Sequence, residues 1–265
     1  MFDSAISSGH SLLREAGRRA ALVAGELSKR TTLARQPQPD GVTGPPVRLM
    51  LSEIAEFVRR SNKAVHGELA LHPQPVMLLP GFAAHPSRMK RMGDSLERAG
   101  HEVFDWGLGF NMGPTAENFS YLMRRVRKIA REHDQPVALV GWSLGGLFAR
   151  EIARRQPEAV GRVITMGTPF SHDPRANNVW RAYQFLTGHP VDSPPIDCDD
   201  FSIKPPVTTI ALWSARDGVI HPRAACGRKG ERDRAVPVRC THLGFSGDPR
   251  VITEVIRQLD WIPGD

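Results

Sequence analysis

The chain has 265 residues, 40% of them apolar, with a formal charge of +7 and a mean hydropathy of −0.31. That length and apolar share can fill the core of one large domain. No stretch approaches the roughly 20 uninterrupted apolar residues of a membrane-spanning helix, which excludes a multispanning membrane protein. No long basic run or nucleic-acid-binding motif accompanies the charge, so no nucleic-acid partner is expected. Three cysteines, Cys198, Cys226 and Cys240, are too few for a disulfide framework and lack metal-ligand spacing. Cys226 and Cys240 flank one predicted loop and could pair in an oxidising compartment, while the odd count and separate thiols fit a reducing one equally.

The opening 30 residues carry Asp3 and arginines that interrupt every apolar stretch, unlike the basic start and clean apolar run of a secretion signal. The spacing predicts helices over about 4–29 and 47–66, joined by the turn-rich segment RQPQPDGVTGPP, which cannot continue a helix. In the second, Leu51, Ile54, Ala55 and Val58 recur at helical spacing. These helices either pack on the main body or present an apolar face to a membrane or over a site. Residues 1–72 are therefore read as an N-terminal helical extension and 73–265 as the main domain. A cytoplasmic location is expected, with peripheral membrane contact through the extension only in the case that its apolar face is turned to a membrane.

From residue 73 short apolar runs alternate with amphipathic stretches. Strands are predicted at Val76–Leu79, Glu102–Phe104, Val137–Val140, Val163–Met166, Thr208–Trp213 and Ala235–Val238. Helices are predicted near Ser87–Ala99, Ala116–Glu132, Leu144–Arg155 and Pro249–Leu259. The alternation implies an α/β fold, a mostly parallel twisted sheet flanked by helices. Residues 171–206, with several prolines and acids and with Trp180, Tyr183 and Phe185, break the rhythm and read as an insertion, a candidate lid. Its shortness predicts a fairly open site.

Between the third strand and its helix lies Gly141-Trp142-Ser143-Leu144-Gly145, followed by Gly146. A G-x-S-x-G sequence in this context makes a sharp, strained turn that holds the serine hydroxyl at its tip. Gly141 and Gly145 remove side chains that would crowd the turn, and the helix start favours developing negative charge.

On these residues the chain from about 75 to 260 resembles the α/β-hydrolase superfamily, bacterial lipases and esterases in particular. GWSLGGLFAR is similar to their nucleophile elbow, and VMLLPGF and VITMGTPF look like their neighbouring strand segments. The resemblance implies Ser143 as nucleophile and, later in the chain, an acid and then a histidine. Asp217 in SARDGVIHP and His242 in RCTHLGF occupy those places. His221, His85, Asp192, Asp197, Asp199 and Asp200 are the competing side chains. The oxyanion donors implied are the backbone N–H groups of Leu144 and of Phe82, in Pro80-Gly81-Phe82-Ala83. Many lipases carry His-Gly where this chain has Pro80-Gly81, so a side chain that can brace the loop is missing. Trp142, Phe110, Phe170 and Trp180 are candidate pocket residues, with packing behind the site as the equal alternative for Trp142. The expected reaction is hydrolysis of a carboxylic ester through an acyl-enzyme, without metal or cofactor, on a small-molecule or lipid ester. An acyltransferase using the same three residues and a non-catalytic binding module are the alternatives.

Overall fold

The short runs rich in Val, Leu and Ile form one six-stranded sheet, as seen in a computed structural model that describes residues 3–58, 63–65, 68–196, 198 and 200–264. The strands are β1 (Pro75–Leu79), β2 (Glu102–Asp105), β3 (Val137–Trp142), β4 (Val160–Met166), β5 (Thr208–Trp213) and β6 (Arg234–Pro237). All pair in parallel, in the order β2-β1-β3-β4-β5-β6. The chain steps outward from β1 to β2, then returns to place β3 on the other side of β1. The loops after β1 and β3 therefore flank the switch point of the sheet, where parallel sheets open a crevice at their carboxyl ends.

Side-chain alternation sorts the strands between two cores. Val76, Leu78, Ala138, Val140, Trp142, Ile164 and Met166 face one layer, covered by α3 (Lys90–Arg98) and α8 (Pro249–Asp260). Met77, Leu79, Val137, Leu139 and Val163 face the other, covered by α4 (Ala116–Glu132) and α5 (Leu144–Arg155). Burial on both faces explains why these strands read as continuous apolar runs. The helix of α4 is closed at its start by a capping box between Thr115 and Asn118.

The predicted strands and main helices fall within a few residues of the observed ones. Three short pieces escaped prediction: α6 (Trp180–Thr187), α7 (Pro222–Cys226) and a 3₁₀ turn at Leu243–Ser246. Eight and five residues are too few to show a helical period. Gly188, at φ 75°, ends α6 in the left-handed conformation that glycine adopts without steric cost.

The N-terminal segment forms α1 (Asp3–Ala34) and α2 (Arg48–Val58). Residues 59–62, 66 and 67 of the second predicted helix lie outside the described residues. Of its helically spaced apolar residues Leu51 and Ala55 are exposed, the side chains of Ile54 and Val58 lie outside those described, and Glu53 is buried. Among the described residues no helix is long and apolar enough to cross a membrane. Cys198, Cys226 and Cys240 are not joined in disulfides.

Candidate active site

Ser143 stands between β3 and α5 with φ 53° and ψ −120°, a conformation that non-glycine residues rarely adopt. Its N–H donates to the Met166 carbonyl at 2.8 Å, which ties the turn to β4. Gly145 permits the approach of the next loop, because a Cβ there would strike the backbone of Leu79 and Pro80. Strain of this kind costs on the order of 1–3 kcal/mol. Glycine would relieve it, at a cost in unfolded-chain freedom of about 0.4–1 kcal/mol. Ser143→Gly is therefore expected to be more stable than Ser143→Ala by about 1 kcal/mol in urea unfolding. A glycine variant no more stable than the alanine one would show that the turn is unstrained.

The loops after β5 and β6 bring two further side chains to the same sheet edge. His242 Nε2 lies 3.0 Å from Ser143 Oγ, and His242 Nδ1 lies 2.8 Å from Asp217 Oδ2. The other carboxylate oxygen of Asp217 accepts the N–H groups of Val219 and Ile220, each at 2.8 Å. A carboxylate opposite Nδ1 requires the proton on that nitrogen, which leaves the Nε2 lone pair to accept the serine hydroxyl. Ser143, Asp217 and His242 are 8%, 1% and 4% exposed, so the chain of hydrogen bonds is largely shielded from water. Burial lowers the imidazole pKa. The Asp217 charge and hydrogen bond, with a further contribution from Glu53, outweigh it and raise the net value above the ordinary one.

The loop after β1 passes beside the serine. Neither the Phe82 nor the Leu144 N–H has a hydrogen-bond partner among the described residues. Asn111, fully buried, fixes this loop. Its side-chain amide donates to the Pro80 carbonyl at 2.7 Å, its carbonyl accepts the Ala83 N–H at 2.7 Å, and its own N–H donates to Ala84. It supplies the brace that Pro80-Gly81 lacks. Nothing in its local sequence marks it, since its partners lie in the loop after β1.

An apolar pocket opens from Ser143, walled by Phe82, Leu144, Leu147, Val179, Trp180 and Tyr183. Of the four aromatic residues expected to line a pocket, Trp180 does. Trp142 turns into the core behind the site, on the same strand face as Ala138 and Val140, and its indole N–H donates to the His242 carbonyl at 3.0 Å. Phe170 is buried under the Arg150 guanidinium, 4.1 Å from ring centre to cation. Phe110 is 64% exposed and packs on His85 outside the pocket. Burial pushes the Tyr183 phenol up to about 12, so it stays neutral.

The competing groups are occupied elsewhere. His221 accepts the Arg223 N–H at the start of α7, and His85 accepts the Ser87 N–H. Asp192 pairs with Arg175, and Asp200 holds Ser202. Asp197 and Asp199 lie outside the described residues. Burial pushes the Cys240 thiol far up, so it stays protonated and offers no rival nucleophile. Among the described residues no group of three or more His, Cys, Asp or Glu is arranged to hold a metal ion.

The site is covered, not open as the short insertion suggested. The N-terminal segment supplies what the insertion lacks in length by holding α6 over the pocket. Arg30 donates to the Leu186 carbonyl at 2.7 Å, and the Gln184 amide donates to the Leu33 carbonyl at 2.6 Å. The Trp180 indole donates to the Gln38 side chain at 2.9 Å, and Gln38 in turn donates to the Arg175 carbonyl. At the far end of the insertion, buried Arg150 donates to the carbonyls of Phe201, Ser202, Ile203 and Glu231. Burial draws its pKa down to about 10, which leaves it charged at neutral pH.

A wholly parallel sheet with a strained serine turn after its third strand, and with an acid and a histidine on later loops, is the arrangement of the α/β-hydrolase fold. A family model described as the alpha/beta hydrolase fold matches residues 74–203. Among solved structures, a soluble variant of monoglyceride lipase from Saccharomyces cerevisiae superposes with a TM-score of 0.53 at 14% identity, covering 75% of this chain and 87% of that one. A Bacillus licheniformis lipase in its mature form gives a TM-score of 0.51 at 15% identity, covering 74% and 97%. At such identities the likeness is one of fold. A biotin biosynthesis bifunctional protein from Teredinibacter turnerae is 30% identical over 83 residues, which are 31% of this chain and only 14% of that protein. These findings give the chain the α/β-hydrolase fold, and the family match within residues 74–203 supports a hydrolase.

Proposed function

We propose that the protein hydrolyses carboxylic esters through an acyl-enzyme formed on Ser143. The observation that carries this reading is the unbroken line of hydrogen bonds Ser143–His242–Asp217 at the mouth of an apolar pocket. In the forward step His242 Nε2 takes the hydroxyl proton as Ser143 Oγ attacks the ester carbonyl. Asp217 holds the ring and stabilises the imidazolium. The Phe82 and Leu144 N–H groups receive the oxyanion. They have no protein partner among the described residues and cost no reorganisation when charge develops. The imidazolium then passes its proton to the leaving alcohol. A water molecule, deprotonated by the same ring, releases the acid and restores the serine.

The apolar wall of the pocket favours an aliphatic acyl chain. Each buried methylene is worth about 0.8 kcal/mol, roughly a fourfold gain. With p-nitrophenyl esters, kcat/KM is expected to rise by about an order of magnitude from acetate to butyrate. The free acid is expected as the main product even with an added alcohol acceptor. A folded protein that cleaves none of these esters would overturn the reading. Transfer of the acyl group to the alcohol as the main outcome would replace it with an acyltransferase.

A further inference from the structure

We propose that Glu53, a residue of the N-terminal extension, is a positioning residue of the active site whose carboxylate clamps the acid-bearing loop to the histidine-bearing loop. The inference rests on the reading of Ser143, His242 and Asp217 given above. Glu53 Oε1 accepts the N–H of Gly218, next to Asp217, at 2.9 Å and the N–H of His242 itself at 2.6 Å. Glu53 Oε2 accepts the Leu243 N–H at 2.8 Å. One side chain thus joins both loops through three backbone donors. Glu53 is 5% exposed, and a carboxylate taken out of water is tolerated only when its oxygens are so satisfied.

A second observation shows that the fit is tight. A Cβ on Gly218 would stand 2.7 Å from the Leu49 carbonyl and 2.9 Å from the Met50 nitrogen. Only glycine at 218 lets α2 lie close enough for Glu53 to reach. The N-terminal segment therefore completes the active site from outside the sheet, in addition to holding α6 over it.

The clamp acts on His242 in two ways. It fixes the backbone from which the imidazole projects, and misplacement of a reacting group by about 1 Å can cost on the order of 100-fold in rate. It also adds negative charge near the ring. The charged groups acting on His242 are Asp217, from the loop after β5, and Glu53, from α2. Its other close neighbours, Ser143, Trp142 and Phe245, are uncharged, and Cys240 stays protonated. Both carboxylates favour the imidazolium that forms as Ser143 loses its proton.

The test uses the full chain with Ser143→Ala, Glu53→Gln and Glu53→Asp, p-nitrophenyl butyrate as substrate, and active-site titration to count folded enzyme. Glu53→Gln keeps the length, removes the charge and turns an amide donor toward one of the three N–H groups. It is expected to lower kcat by about 10- to 100-fold with little change in KM. It is also expected to move the acid limb of kcat/KM to lower pH, because an imidazole with less negative charge nearby loses its proton more readily. Glu53→Asp keeps the charge but shortens the reach. It should lower kcat while leaving the acid limb near its wild-type position. A role confined to stability would lower the melting temperature and the active fraction without moving that limb.

Folded Glu53→Gln with wild-type kcat and an unmoved limb, beside an inactive Ser143→Ala, overturns the clamp alone. Full hydrolysis by Ser143→Ala overturns the underlying reading instead. If neither Glu53 variant folds, amide exchange in the wild-type protein decides. The Gly218, His242 and Leu243 N–H groups are expected among the slowly exchanging amides, and exchange as fast as in exposed loops would overturn the clamp.

Discussion

Ser143→Ala is expected to lower kcat/KM toward p-nitrophenyl butyrate by roughly four to six orders of magnitude, while the protein folds as before. The loss is large because the oxygen removed forms the acyl bond. The remaining apparatus, the free N–H groups of Phe82 and Leu144 and the apolar pocket, leaves only the residual acceleration that such sites retain without a nucleophile. The fold should persist, because alanine keeps the Cβ and the Ser143 N–H bond to Met166 is a backbone bond. A steady-state comparison of the two purified proteins checks this. A loss below tenfold would mean that another group attacks the ester.

Asp217→Asn is expected to cost about four orders of magnitude, through the tautomer of His242. The Val219 and Ile220 N–H groups both donate to Asp217 Oδ1, so an asparagine must place its carbonyl oxygen there. Its NH2 group then faces His242 Nδ1, the position now filled by Oδ2. That arrangement makes Nδ1 an acceptor and moves the ring proton to Nε2, where it faces the serine hydroxyl and cannot remove its proton. The loss should appear in kcat, with KM little changed, because the pocket wall does not include residue 217. Activity within tenfold of wild type would show that the carboxylate does not set the tautomer.

Much of this arrangement was legible in the chain. The strand before Gly141 and the helix after Gly145 place Ser143 at a sheet edge by local pattern alone. The resemblance to α/β-hydrolases implied an acid and then a histidine later in the chain, and the shared edge of a parallel sheet is what lets Asp217 and His242 fill those places. What escaped lay in long-range contacts. Glu53 meets its partners across 165 to 190 residues, and a lone acid on a short amphipathic helix gives no local sign of burial. The apolar spacing of Leu51 and Ala55 pointed to the opposite, exposed side of that helix. The role of Asn111 likewise depends on a loop 31 residues away. Trp142 is a different case. Its position next to the serine fits a pocket or the packing behind it equally, and its alternation with Ala138 and Val140 on β3 decides for the core face. The open site expected from the shortness of residues 171–206 takes no account of the segment around Arg30–Gln38, although a place over the site is one of those the sequence leaves open to the N-terminal helices.

The most direct measurement is reaction of the full chain with a fluorophosphonate probe, followed by intact mass and peptide mapping. The expected result is one adduct per chain, on Ser143, with loss of ester hydrolysis in proportion to labelling and no labelling of the Ser143→Ala protein. A folded wild-type protein that takes up no probe, or takes it up at another residue while hydrolysis continues, would contradict the assignment of Ser143 as the nucleophile.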